Sequence, residues 1–170
     1  DSSFDVVTDA EVDKLYNAGV RVFFQCLWTG SEQPANRVIS LRNFLKDGRI
    51  AIGGYISVAV GRNGQQHVDA ARSGIPDDIW TALRKVPIDV ELPGLTMAEH
   101  VYPALQRITS LGKAKDIYTN YGTWTSVMQN AMRPVGCGLW NAYWDGAPDF
   151  DFPSLRFGGW QDGELWGEQC

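Results

Sequence analysis

From residue 1 to about residue 130, short apolar runs alternate with turn signals and amphipathic stretches. That alternation predicts βα units and a mostly parallel sheet. Strands are expected at 3–7, 20–28, 50–58, 86–92 and 115–120. Thr8 and Glu11 have the spacing of a capping box, Val12, Leu15 and Tyr16 follow at helical spacing, and Gly19 supplies the stop. Further helices are expected at 39–47, ended by Gly48, at 65–73, ended by Gly74, and as a short turn at 77–84 after Pro76. The clearest local signal is a second capping box, Thr96 with Glu99. Val101, Leu105 and Ile108 recur at helical spacing behind it, and Gly112 closes the helix. A last helix is expected at 124–132. From Gly136 the helical pattern disappears, and 138–143 and 155–161 read as strands separated by a loop rich in Asp, Pro and Gly.

Five βα units followed by bare strands predict an α/β fold, an incomplete TIM-like barrel of the (β/α)5(β)3 type with mostly parallel strands. A full eightfold barrel takes about 250 residues, so at 170 residues the loss of the last helices is the economical way to close one. A flavodoxin-like open sheet would need helices over both faces to its end, and the segment after Gly136 does not provide them. Residues 1–170 are expected to form one domain, trimmed at both ends.

Composition narrows the function. The 15 basic and 20 acidic residues leave a net charge of −5, and the basic ones are dispersed, which argues against nucleic acid and anionic membranes as partners. No apolar run approaches the roughly 20 residues of a membrane-spanning helix. Seven Trp, six Tyr and seven Phe lean towards a groove that stacks on planar or sugar faces. Cys26, Cys137 and Cys170 make no zinc spacing, so no metal is expected. Cys26 lies in an apolar run and reads as a buried thiol. Cys137 and Cys170 flank the helix-free end, and a bridge between them would imply an oxidising compartment.

The chemistry concentrates in the fourth strand. Val86-Pro87-Ile88-Asp89-Val90-Glu91-Leu92 sets two carboxylates at i and i+2, on one side, with Cα atoms about 6.8 Å apart. If Val90 packs against the helices, Asp89 and Glu91 point to the barrel axis near the strand's C-terminal end, where barrel enzymes keep their sites. No Arg or Lys adjoins them to offset the cost of burial. Two like charges at close range leave one carboxyl protonated and one ionised near neutrality, the acid and anion that glycoside cleavage needs. The bland alternative is a solvated pair at a strand end.

The ordered segments Ile88-Asp89-Val90-Glu91, Ile117-Tyr118-Thr119-Asn120-Tyr121 with Trp124, Leu139-Trp140-Asn141-Ala142-Tyr143 and Gly159-Trp160-Gln161 resemble the landmarks of family 25 glycoside hydrolases. These are lysozyme-like muramidases on a (β/α)5(β)3 barrel, and Asp1-Ser2-Ser3 is similar to their first-strand motif. The resemblance implies that Glu91 is the general acid. Asp89 and Asp1 would stabilise positive charge, directly or by orienting the N-acetyl group of the substrate. Tyr118, Trp140 and Trp160 would line the groove, with Tyr55 and Tyr143 as further candidates. The implied protein is a secreted, monomeric glycosidase without cofactor, acting on a β-linked N-acetylated glycan, peptidoglycan foremost. Relatives usually continue past the Trp-Gln segment into a last strand carrying another Asp. Its absence favours the main alternative, a barrel that binds glycan without cutting it. A third reading makes Asp1, Asp89 and Glu91 oxygen ligands of a metal.

Other constellations are thin. His67 and His100 read as solvated helix residues, the segment from Gly61 to Gly64 is a turn without the Lys-Ser or Lys-Thr of a phosphate loop, and Asp145, Asp149, Asp151 and Asp162 read as solvated loop acids.

Overall fold

A computed structural model describes residues 5–142, 157–160 and 165–169. Six parallel strands form one sheet in sequential order: β1 (Val22–Trp28), β2 (Ala51–Ser57), β3 (Ile88–Asp89), β4 (Asp116–Thr119), β5 (Gly138–Ala142) and β6 (Leu165–Gln169). Between them run α2 (Arg37–Asp47), α3 (Gly64–Arg72), α4 (Asp77–Ala82), a π-helical turn at Met97–Val101 leading into α5 (Tyr102–Ser110), and α6 (Tyr121–Val127), with α1 (Asp9–Asn17) ahead of β1. A strand order that never reverses excludes the doubly wound alternative, because right-handed crossovers then keep every helix on one face.

That face is dry. Phe23 of β1 stacks on Phe44 of α2 at 4.3 Å between ring centroids, and Ile52, Ile56, Ile88, Val90, Ile117 and Leu139 are buried along the neighbouring strands. Each such side chain contributes about 1.5–3 kcal/mol on burial. The other face curls on itself. Phe24 of β1 meets Trp140 of β5 with ring centroids 4.5 Å apart. In a flat sheet strands four places apart lie about 19 Å from each other. The contact therefore requires strong curvature, the arc of a partial β/α barrel. Gly53 lets the Phe24 ring lie against β2, since a Cβ there would run into it.

Local chemistry explains most boundaries. Thr8 and Glu11 form the expected capping box on α1, and Asn63 with Gln66 makes another on α3. Three expectations are corrected. Residues 5–7 are not a strand: Val7 N–H donates to Ser40 Oγ (3.0 Å) and its carbonyl accepts from Asn43 Nδ2 (2.7 Å), which ties the segment to α2. At Thr96 the hydroxyl does accept the Glu99 N–H, but the Thr96 N–H goes to His100 Nδ1 at 3.0 Å, so a buried histidine completes the cap in place of Glu99. Residues 157–160 are a turn through Gly158 and Gly159, with φ of +57° and +75°, and the strand that pairs with β5 is β6.

His67, expected in solvent, is also buried. The Trp28 indole N–H donates to its Nδ1 at 2.8 Å, so the ring proton sits on Nε2, which reaches the Ala59 carbonyl at 2.8 Å. Burial pushes its pKa down, and the neutral ring pins the end of β1 and the segment after β2 to α3. Cys26 is a buried thiol as expected. Cys137 is buried as well and unbridged among the described residues; Cys170, its expected partner, lies outside them.

Gly64 opens α3 directly against the π-helical turn. A Cβ at this position would overlap the His100 carbonyl oxygen and lie 2.6 Å from the Ala104 nitrogen, both backbone atoms that cannot rotate away. Gly64→Ala is expected to destabilise the fold by about 1–3 kcal/mol, measurable as a lowered urea midpoint. A midpoint equal to that of the parent chain would show that the two helices are not held at this distance.

Candidate active site

The register across the sheet aligns four residues in one row: Ser57 pairs with Asp89, Asp89 with Tyr118, and Tyr118 with Trp140. Because side chains alternate along strands, this row projects from the face opposite the helix-covered one, together with Phe24, Cys26 and Tyr55. The β3 ladder is only two residues long, since Pro87 has no N–H to give and Leu92-Pro93-Gly94 turns the chain. Alternation nevertheless continues past it. Val90 N–H donates to the Tyr118 carbonyl at 2.9 Å, the Val90 side chain is buried among the helices, and Glu91 returns to the side of Asp89.

Asp89 and Glu91 each have one polar side-chain partner among the described residues. Ser57 Oγ donates to Asp89 Oδ2 at 2.7 Å, while Asp89 Oδ1 is buried without a partner. Asn120 Nδ2 donates to Glu91 Oε1 at 3.2 Å. No lysine, arginine or histidine among the described residues forms an ion pair with either carboxyl. Burial pushes the Asp89 pKa up to about 7, with the neighbouring Glu91 charge adding to the rise and the Ser57 hydrogen bond opposing it. Burial also raises Glu91, against the Asn120 hydrogen bond. The Tyr118 phenol is raised by burial and by both carboxylates, which places its ring beside them.

The electrostatics revise one detail. Repulsion was expected to separate the two carboxyls, yet desolvation is the larger cause for both, and the deeper one, Asp89, holds a proton into the neutral range. Such a pair titrates as a unit, and a positive charge brought next to Asp89 would leave the proton with Glu91.

The structure gathers Asp89, Glu91, Tyr118, Trp140 and Tyr55 on one face. Trp140 bridges Phe24 and Tyr118, edge-on to the latter at 5.2 Å, and Tyr55 lies beside the Cys26 thiol. Trp160 does not join them. Expected to line the groove, it is 1 % exposed, packed edge-on against Trp124 (4.8 Å) and Phe157 (5.3 Å), with its indole N–H donating to the Cys137 carbonyl. The cause is the glycine turn at 158–159, which folds the ring inward where a strand would have carried it to the rim. Asp1 and Tyr143 lie outside the described residues, as do Asp145, Asp149, Asp151 and Asp162. Among the described residues no three His, Cys, Asp or Glu side chains gather as a metal site. No described helix is long and apolar enough to cross a membrane.

Ser57, Asn120 and Phe24 were not singled out from sequence. Asn120 carried a legible signal, since Asn three residues before Thr123 reads as an N-cap. Ser57 and Phe24 depend on partners 32 and 116 positions away.

No protein-family model and no curated protein matches the chain by sequence. Solved structures do match in shape. A family GH25 lysozyme from Aspergillus fumigatus superposes with a TM-score of 0.69 at 18% identity, over 87% of this chain and 76% of that one. The muramidase from Trichobolus zukalii gives 0.68 at 21%, over 86% and 75%. The bacterial lysozyme from Streptomyces coelicolor gives 0.63 at 16%, over 76% and 66%. The curled parallel sheet, its sequential strand order and these superpositions together give the chain the fold of the GH25 lysozymes and muramidases.

Proposed function

We propose that the protein is a lysozyme-like glycosidase that cleaves a β-linked N-acetylated glycan, peptidoglycan foremost, outside the cell. The observation that carries this reading is the Asp89–Glu91 pair: two carboxyls on one face of the sheet, both raised by burial, neither ion-paired among the described residues. A structural pair would have a cation to offset its desolvation, as Asp116 has in Lys85 at 2.9 Å. The names of the structural neighbours point to the same chemistry.

In this mechanism Glu91 protonates the glycosidic oxygen while positive charge develops on the sugar ring. Asp89 meets that charge directly or holds the N-acetyl group in place. The approaching positive charge favours Asp89 as the anion, which keeps the proton on Glu91. Tyr118 and Trp140 offer aromatic faces beside the carboxyls for the sugar.

The test is incubation with purified cell wall. Reducing ends should appear in the supernatant. The rate should fall as pH rises past the Glu91 pKa, which burial holds above the ordinary carboxylate value, because the catalytic proton is lost beyond it. Sedimentation with the wall and no release of reducing ends would overturn hydrolysis in favour of a glycan-binding barrel.

A further inference from the structure

Asn120 follows β4 as the N-cap of α6, with an extended backbone (φ −133°, ψ 169°) and its Oδ1 accepting the Thr123 N–H at 2.8 Å. That bond decides which way the amide faces. With Oδ1 engaged by the helix, the amino group is the end that reaches Glu91, donating from Nδ2 to Oε1 at 3.2 Å. A carboxyl oxygen that accepts this N–H is the acceptor end of a protonated Glu91, so the proton belongs on the other oxygen.

We propose that Asn120 is the positioning residue for Glu91: through the α6 cap it holds the carboxyl in one orientation and places the transferable proton on Oε2. The inference rests on the reading of Glu91 as general acid. It assigns to a helix cap, made for local backbone reasons, the task of aiming a proton on the neighbouring strand. The groups that face Glu91 are Asp89 from its own strand and the Tyr118 phenol from β4, both acceptors or weak acids, so Asn120 is the neutral donor that opposes the effect of burial on Glu91.

The cap gives a clean way to separate this role from a structural one. Asp and Ser cap helices about as well as Asn, so Asn120→Asp and Asn120→Ser keep the Thr123 contact while removing the Nδ2 donor. Both variants are expected to keep the parent KM, with kcat on peptidoglycan lower by about 10- to 100-fold through misplacement of the proton. Asn120→Ser is expected to keep the parent melting midpoint, and Asn120→Asp to lose stability above the Glu91 pKa, where the two carboxylates repel. In Asn120→Asp the Glu91 titration, followed by carbon NMR of its labelled side-chain carboxyl, should move up by about one unit or more, because a carboxylate replaces the donor. The basic limb of the kcat–pH profile should move with it. An unshifted Glu91 titration in Asn120→Asp, or a parent kcat in both variants, overturns the proposal. The NMR titration reads the Asn120–Glu91 contact whether or not the protein cleaves glycan, so failure of the positioning role and failure of the glycosidase reading give different results.

Discussion

Glu91→Gln is expected to lower kcat on peptidoglycan by about 10²- to 10⁴-fold, the usual contribution of a positioned general acid, with the fold intact. Glutamine keeps the shape of the side chain and an oxygen to accept the Asn120 N–H, so the local hydrogen bond survives. It has no acidic proton, so the leaving oxygen would depart as an unstabilised alkoxide. The substitution also removes the charge that helps to raise Asp89, so the Asp89 pKa should fall while remaining above the ordinary carboxylate range because of burial. Reducing-end release, wall sedimentation and a thermal melt on the same preparation give the full answer. The expected result is binding and melting like the parent with hydrolysis lost. Hydrolysis within a few-fold of the parent would remove Glu91 from the chemistry.

Asp89→Asn is expected to make the protein more stable at pH 8 while hydrolysis collapses. Folding raises the Asp89 pKa from 3.8 to about 7, so the folded chain binds the proton more tightly than the unfolded one. The sign follows from proton linkage: below pH 3.8 both states are protonated and the carboxyl costs nothing. As pH climbs the unfolded state ionises first and is favoured, and the cost is complete above pH 7. A shift of this size corresponds to about 4 kcal/mol at most. Asparagine avoids the charge but places an amide donor where Asp89 Oδ1 now has no partner, which costs about 1–3 kcal/mol. The net gain should be about 1–3 kcal/mol at pH 8 and turn into a loss of about 1–3 kcal/mol by pH 4, where only the cost of the amide remains. Urea denaturation at the two pH values measures it. A lower midpoint for the variant at pH 8 would mean that Asp89 is held in place for structure, and its assignment to the site would fail.

Both predictions depend on a carboxyl pair visible in the primary structure. Val90 between two acids fixes their common side, because strand alternation has a period of two, and the helix layer does take Val90. The succession of strands and helices was legible for the same reason: apolar positions recur at the spacing of the element that must bury them, and Gly19, Gly48, Gly74 and Gly112 all adopt the positive φ of a chain stop. Errors arose where a residue's environment depends on a distant segment. His67 looks like a surface polar residue on an amphipathic helix, yet Trp28, 39 positions away, supplies the partner that makes its burial affordable. Trp160 has the look of a rim aromatic at a strand end, but the Gly158-Gly159 turn sends it into the core.

What the chain determined by itself was therefore local: element type, direction of alternation, the shared side of Asp89 and Glu91, and the cap at Asn120. Tertiary structure decided what surrounds them. Strand register put Ser57 and Tyr118 in the row of Asp89, sheet curvature brought Phe24 against Trp140, and burial lifted the carboxyl pKa values. The physical reason is range: backbone periodicity acts over a few residues, whereas desolvation depends on every atom that excludes water from a group, wherever that atom lies in the chain.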